Sequence, residues 1–142
     1  MSDLKHLIHS TADQACQSFA ERAGDSLDYS QASLAMIDEM MDEFAAMAAD
    51  MPVDARQGLV QIMGCYTMAV ADNTFEGEFL WDERSEQPVF VVGEPEYHIA
   101  FKSFDKIAAR LVGNVDSKVQ TLFDEFAEKC RSAETGDKFE FA

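Results

Sequence analysis

Between residues 78 and 101 the chain changes its period, and this change restricts the available folds more than any other feature. Up to about residue 72, apolar residues recur every three to four positions, the spacing of one helix face. Three short runs rich in aromatic and β-branched residues follow: Glu78-Phe79-Leu80-Trp81, then Val89-Phe90-Val91-Val92 behind Pro88, then Tyr97-His98-Ile99-Ala100-Phe101. Glycine, proline and acidic turn residues divide them, a pattern that predicts a small antiparallel meander. Helical spacing returns over about 103–112 and 116–131, where Val119, Leu122, Phe123 and Phe126 supply the last buried face. Helices, strands and again helices predict an α+β fold, not a doubly wound sheet: three N-terminal helices, about three strands and two C-terminal helices.

The first helix is expected over about 3–23, with Leu4, Leu7, Ile8, Ala12, Ala15 and Phe19 on one stripe and Gly24 as its stop. Leu27-Asp28-Tyr29-Ser30 leads into the second. Ser30 has an N-cap side chain, and Leu34, Ile37, Met41, Phe44 and Ala48 share a face up to about Asp50, before Pro52. Glu39, Asp42 and Glu43 lie away from that stripe and give the helix an acidic exterior. A third helix over about 54–72 turns Leu59, Ile62, Met63, Tyr66 and Val70 inward. Gly58 and Gly64 within it weaken the helix and let a neighbour come close. With no repeat and no linker, the 142 residues read as one domain. The tail from Ala133 is polar until Phe139 and Phe141, which either pack back or fray.

Twenty-seven acidic residues against 11 basic ones leave a formal charge of −16. Such a surface repels nucleic acid and anionic lipid and attracts cations or basic proteins, besides favouring solubility. A composition 47% hydrophobic and 27% charged is that of a globular chain, with 11 Phe and 8 Met as core material. Cys16, Cys65 and Cys130 are far apart and odd in number, which suits unpaired thiols in a reducing cytoplasm. No leader and no apolar run of bilayer-spanning length stands out, so a soluble cytoplasmic protein without membrane contact is expected.

Four stretches resemble the pattern of an uncharacterised bacterial domain-of-unknown-function family. They are Leu27-Asp28-Tyr29-Ser30 with Ser33-Leu34 and Asp38; Gly64-Cys65-Tyr66; Gly77-Glu78-Phe79-Leu80-Trp81; and Phe104-Asp105-Lys106 with Arg110-Leu111 and Gly113-Asn114-Val115-Asp116-Ser117. The likeness covers roughly residues 27–126 in order. It departs at Met68-Ala69, where the relatives carry Gly-Glu. The resemblance implies an α+β domain of unassigned activity and supplies no catalytic residues.

Several residue groups could carry chemistry. His6, His9, Asp13 and Cys16 lie along one side of the first helix, and imidazole, carboxylate and thiolate together suit zinc or nickel. A solvated face of unrelated polar groups has the same spacing. Asp38, Asp42, Glu76, Glu78, Asp82 and Glu83 offer carboxylates for acid–base work, which needs one pair in a cleft with pKa values driven apart. Asp28 and Asp116 read as turn and cap residues. Ser10, Ser30 and Ser117 lack a nucleophile elbow. His98 reads as a half-buried strand histidine and Cys65 as an inert core thiol. Lys102, Lys106 and Arg110 make one small basic cluster, suited to pairing with acidic neighbours inside the fold. Trp81, Phe79 and Phe90 are either core or, if exposed among Glu78, Asp82, Glu83 and Glu86, an aromatic hot spot with an acidic rim.

The expected function is a non-enzymatic interaction module, without cofactor, that binds a basic protein in an immunity-like or regulatory role. Glu39, Asp42, Glu43, Glu78, Trp81, Asp82 and Glu83 are its candidate contacts. The alternatives are a small metal-dependent or carboxylate enzyme and a structural subunit of a larger assembly.

Overall fold

A computed structural model of the chain describes residues 2–142 and contains six α-helices and a four-stranded mixed sheet. Helix α1 (Ser2–Ser18) breaks at Phe19 and resumes as the single turn α2 (Ala20–Ala23), which ends at Gly24 with φ +58°. Ile8, Ala12 and Ala15 are buried on the face that packs along α4 (Val53–Thr74). Leu7 departs from the expected stripe and is 62% exposed. Its position lies at the margin of that face, beyond the width α4 can cover.

Ser30 does cap a helical start, but a tighter one. Its hydroxyl accepts the Ser33 N–H at 3.2 Å and opens a 3₁₀ turn over Gln31–Ser33 that runs into α3 (Leu34–Met47). Leu34, Ile37, Met40 and Met41 form the buried side of α3, and Phe44 packs partly buried against Phe19. In α4 every residue from Met63 to Ala71 is buried. A helix enclosed on all sides can have no polar face there, and this explains the small residues in that run.

The sheet contains β1 (Glu78–Asp82), β2 (Gln87–Val92), β3 (His98–Phe101) and β4 (Lys138–Phe141), in that spatial order. The first three strands are the expected antiparallel meander. Pro88 falls inside β2, where the ladder toward β3 begins only at Phe90, so no β3 partner requires its missing N–H. The tail neither frays nor merely packs back: Lys138–Phe141 adds a strand parallel to β3. Parallel pairing needs a long crossover, and α5 (Phe104–Leu111) with α6 (Val119–Ser132) supplies it.

Register places Phe79 beside Phe90, Phe90 beside Phe101, and Phe101 beside Phe141, one phenylalanine from each strand in a row. Phe123 and Phe126 of α6 close over that row, with Phe101–Phe126 centroids 4.9 Å apart. Tilted and edge-on rings at such distances add to the burial of their apolar area. The inner side of the sheet is therefore core, and the outer side remains for function. Among the described residues no helix is long and apolar enough to cross a membrane.

Candidate functional site

The alternation that sends the phenylalanines inward sends Glu78, Leu80 and Asp82, Val89 and Val91, His98 and Ala100, and Glu140 outward. Leu80, Val89, Val91 and Ala100 floor a trough of about 500 Å³ on this outer face, with Trp81 on its border, 54% exposed. Lys102 crosses one side, reaching Asp82 at 3.0 Å and Glu140 at 2.6 Å. Ser85 and Lys102 together hold the Asp82 carboxyl at a pKa of about 2, so it stays ionised and is unsuited to donate a proton near neutrality.

A second cleft of about 590 Å³ adjoins this trough and shares Leu80, Val91 and His98 with it. Glu76 and Glu78 enter it from the α4–β1 connection and the start of β1; Glu94 and Glu96 enter from the β2–β3 turn. All four are exposed. Glu94 meets His98 Nδ1 at 3.2 Å, whereas Glu76, Glu78 and Glu96 make no ion pair among the described residues. Gly77 lets the chain pass under the sheet edge, since a Cβ there would stand 2.5 Å from the Val91 carbonyl oxygen. Cys130 also borders the cleft, but burial pushes its thiol up to about 12 and it is no nucleophile at neutral pH.

The structure divides the expected contact residues into two groups. Glu78 and Asp82 come together on the outer face. Trp81 alternates to the other side and reaches only the border of the trough at the sheet edge, and Glu83 stands exposed in the neighbouring β1–β2 turn. Glu39 and Glu43 of α3 lie elsewhere, both held by Arg22, with Glu39 at 2.9 Å. Asp42 is paired with the buried Arg110. The outward face of α3 is thus largely neutralised within the fold. Glu94, Glu96 and Glu140 were not anticipated as contacts. The alternation of Lys138-Phe139-Glu140-Phe141 is a signal that could have placed Glu140, whereas Glu94 and Glu96 lie in the β2–β3 turn, where no period assigns a face. His98 is half-buried as expected, yet it faces the acidic cleft.

The other candidate groups resolve into structural roles. His9 is bonded to Asp72 at 2.6 Å, Asp13 takes the Tyr29 hydroxyl, and Cys16 turns its thiol to the Leu27 carbonyl. His6 is exposed. Among the described residues no three His, Cys, Asp or Glu side chains gather closely enough to hold a metal ion. Asp38 accepts the N–H groups of Val119 and Gln120 at 2.8 and 2.9 Å and so caps α6 from another helix. Burial raises its pKa while those N–H groups oppose the rise. The basic cluster is dispersed, with Lys102 on Asp82 and Glu140 and Arg110 on Asp42.

The segments 27–34, 64–66 and 104–117 also meet through structural contacts. The buried Tyr66 hydroxyl accepts the Tyr29 N–H at 2.9 Å, lies 2.7 Å from the Ser33 hydroxyl, and its ring stacks on Tyr29. Asn73 donates to the Tyr29 carbonyl, which helps hold Tyr29 at φ +65°. Gly64 lies against Phe104, where a Cβ would be 2.5 Å from the ring, and its carbonyl accepts the Ser103 hydroxyl. Ser117 donates to the Lys106 carbonyl. These residues fasten elements to one another. Compared with family models, with curated proteins and with solved structures, the chain matches none.

Proposed function

We propose that the outer face of the sheet is the docking surface of a non-enzymatic interaction module for a positively charged protein segment, in an immunity-like or regulatory role. The observation that carries this reading is the cleft of Glu76, Glu78, Glu94 and Glu96, which no Lys or Arg of the described chain neutralises, opening onto the apolar trough of Leu80, Val89 and Val91. Lysine or arginine side chains would enter the cleft, and an apolar side chain beside them would cover the trough against Trp81. That combination is an aromatic anchor with a charged rim, in which charge sets the approach and apolar burial sets the lifetime. The three free cysteines support a reducing, cytoplasmic location.

The test is capture by the intact chain, side by side with a variant carrying Glu76→Gln, Glu78→Gln, Glu94→Gln and Glu96→Gln. These residues are exposed, so circular dichroism should show the same fold in both. The expected result is a basic protein retained by the wild type at low salt, released at high salt, and absent from the variant. Retention of the same proteins by both baits, or of none by either, would overturn the proposal.

A further inference from the structure

The first turns of α4 and the C-terminal end of α5 leave a groove of about 610 Å³ between them, which shares no lining residue with the acidic cleft. Val53, Val60, Ala108, Leu111 and Val112 make it apolar, and Val112 is 77% exposed. Arg56 also lines it. The Arg56 Nε is buried without a hydrogen-bond partner, and among the described residues Arg56 joins no ion pair. Other basic side chains of the described residues also lack an ion pair, but none of them has a buried N–H without an acceptor, and that feature of Arg56 requires a reason. The beginning of α4 at the same groove adds the positive end of a helix dipole.

The volume is that of a small-molecule site, and its lining is an apolar wall with one cation, Arg56, beside the polar side chains of Asp54, Gln57 and Gln61. An acidic macromolecule would meet the repulsion of the −16 charge, whereas a monoanion with an apolar tail meets little of it. Asp54 at the groove further limits the ligand to a single negative charge. We propose that this groove binds a small amphiphile of the fatty-acid class, its carboxylate on Arg56 and its tail along Val60, Ala108, Leu111 and Val112.

Titration of the full chain, followed by amide NMR with decanoate, decanol and acetate below their aggregation concentrations, tests this. Decanoate should shift amides over 53–61 and 108–112 and bind about tenfold tighter than decanol, the usual worth of one charged hydrogen bond. Acetate, with no tail, should shift them little at the same concentration. Arg56→Gln should make decanoate and decanol equal, and Arg56→Lys should keep part of the preference. Equal binding of the two by the wild type, shifts centred elsewhere, absence of decanoate binding, or a preference that survives Arg56→Gln would each overturn the proposal.

Discussion

The Tyr66 hydroxyl sits in a fully buried position and accepts a backbone N–H from one residue of the turn while bonding a side chain from another. Tyr66→Phe keeps the ring and its stacking on Tyr29 but leaves the Tyr29 N–H without an acceptor. The expected loss is about 1–3 kcal/mol, the desolvation of one orphaned donor, read as a lower urea midpoint with an unchanged slope. Asp38 allows a sharper comparison. Asp38→Ala removes the cap of α6 and should cost about 1–2 kcal/mol. Asp38→Asn retains an acceptor oxygen and avoids burying a charge, so at pH 7 most of that loss should be recovered. Gly64→Ala gains about 1 kcal/mol of helix propensity but pushes a Cβ into the Phe104 ring, and overpacking of about 1–3 kcal/mol should win. Such roles were only half legible in the chain. Tyr66, Gly64 and Ser30 stand out at fixed spacings, but the partners of Tyr66 lie more than 30 residues away, and spacing reports only local neighbours.

Among the elements, β4 was the least legible. Its four residues alternate polar and aromatic, a true strand pattern, but so short a run is outweighed locally by the Gly136 turn before it. Only the register against β3, delivered by two helices of crossover, shows why it orders: Phe141 reaches Phe126 and Glu140 reaches Lys102. The helices were easier, because α1, α3 and α6 bury stripes that the 3.6-residue period reveals, whereas α4 is enclosed on all sides from Met63 to Ala71. The Ser85 hydrogen bond and the Lys102 bridge on Asp82 also make the outer face sensitive to acid. The Asp82 pKa falls from 3.8 to about 2 on folding, so its contribution is complete above pH 4 and is lost as pH falls toward 2. Amide exchange in β3 and β4, corrected for its intrinsic rate, should therefore accelerate between pH 4.5 and 2.5 more than in Phe123 and Phe126 of α6. Lys102→Met should shrink that difference, and Ser85→Ala with Lys102→Met should remove it. A uniform acceleration in the wild type would show that acid unfolds the whole chain at once.

At the scale of the whole molecule, the same −16 acts in two opposite directions. Like charges destabilise the compact state by repulsion, and salt relieves this: the screening length falls from about 30 Å at 0.01 M to about 8 Å at 0.15 M. Exposed pairs such as Arg22 with Glu39 lose strength over that range, but each is worth only about 0–1 kcal/mol. Repulsion dominates this balance, so the melting temperature should rise as salt is added. The basic partner proposed for the Glu76–Glu96 cleft should respond with the other sign, since the screening that stabilises the free chain weakens the attraction between the two. Calorimetry of the chain alone and binding of the captured basic partner, each at 0.01 M and 0.15 M sodium chloride, should diverge in direction. The quadruple Gln variant should melt higher than the wild type at low salt, with the gap closing at 0.15 M. An identical melting temperature at low salt would mean that these four carboxylates do not feel one another, and the cleft would then lack the concentrated field that docking of a basic segment requires.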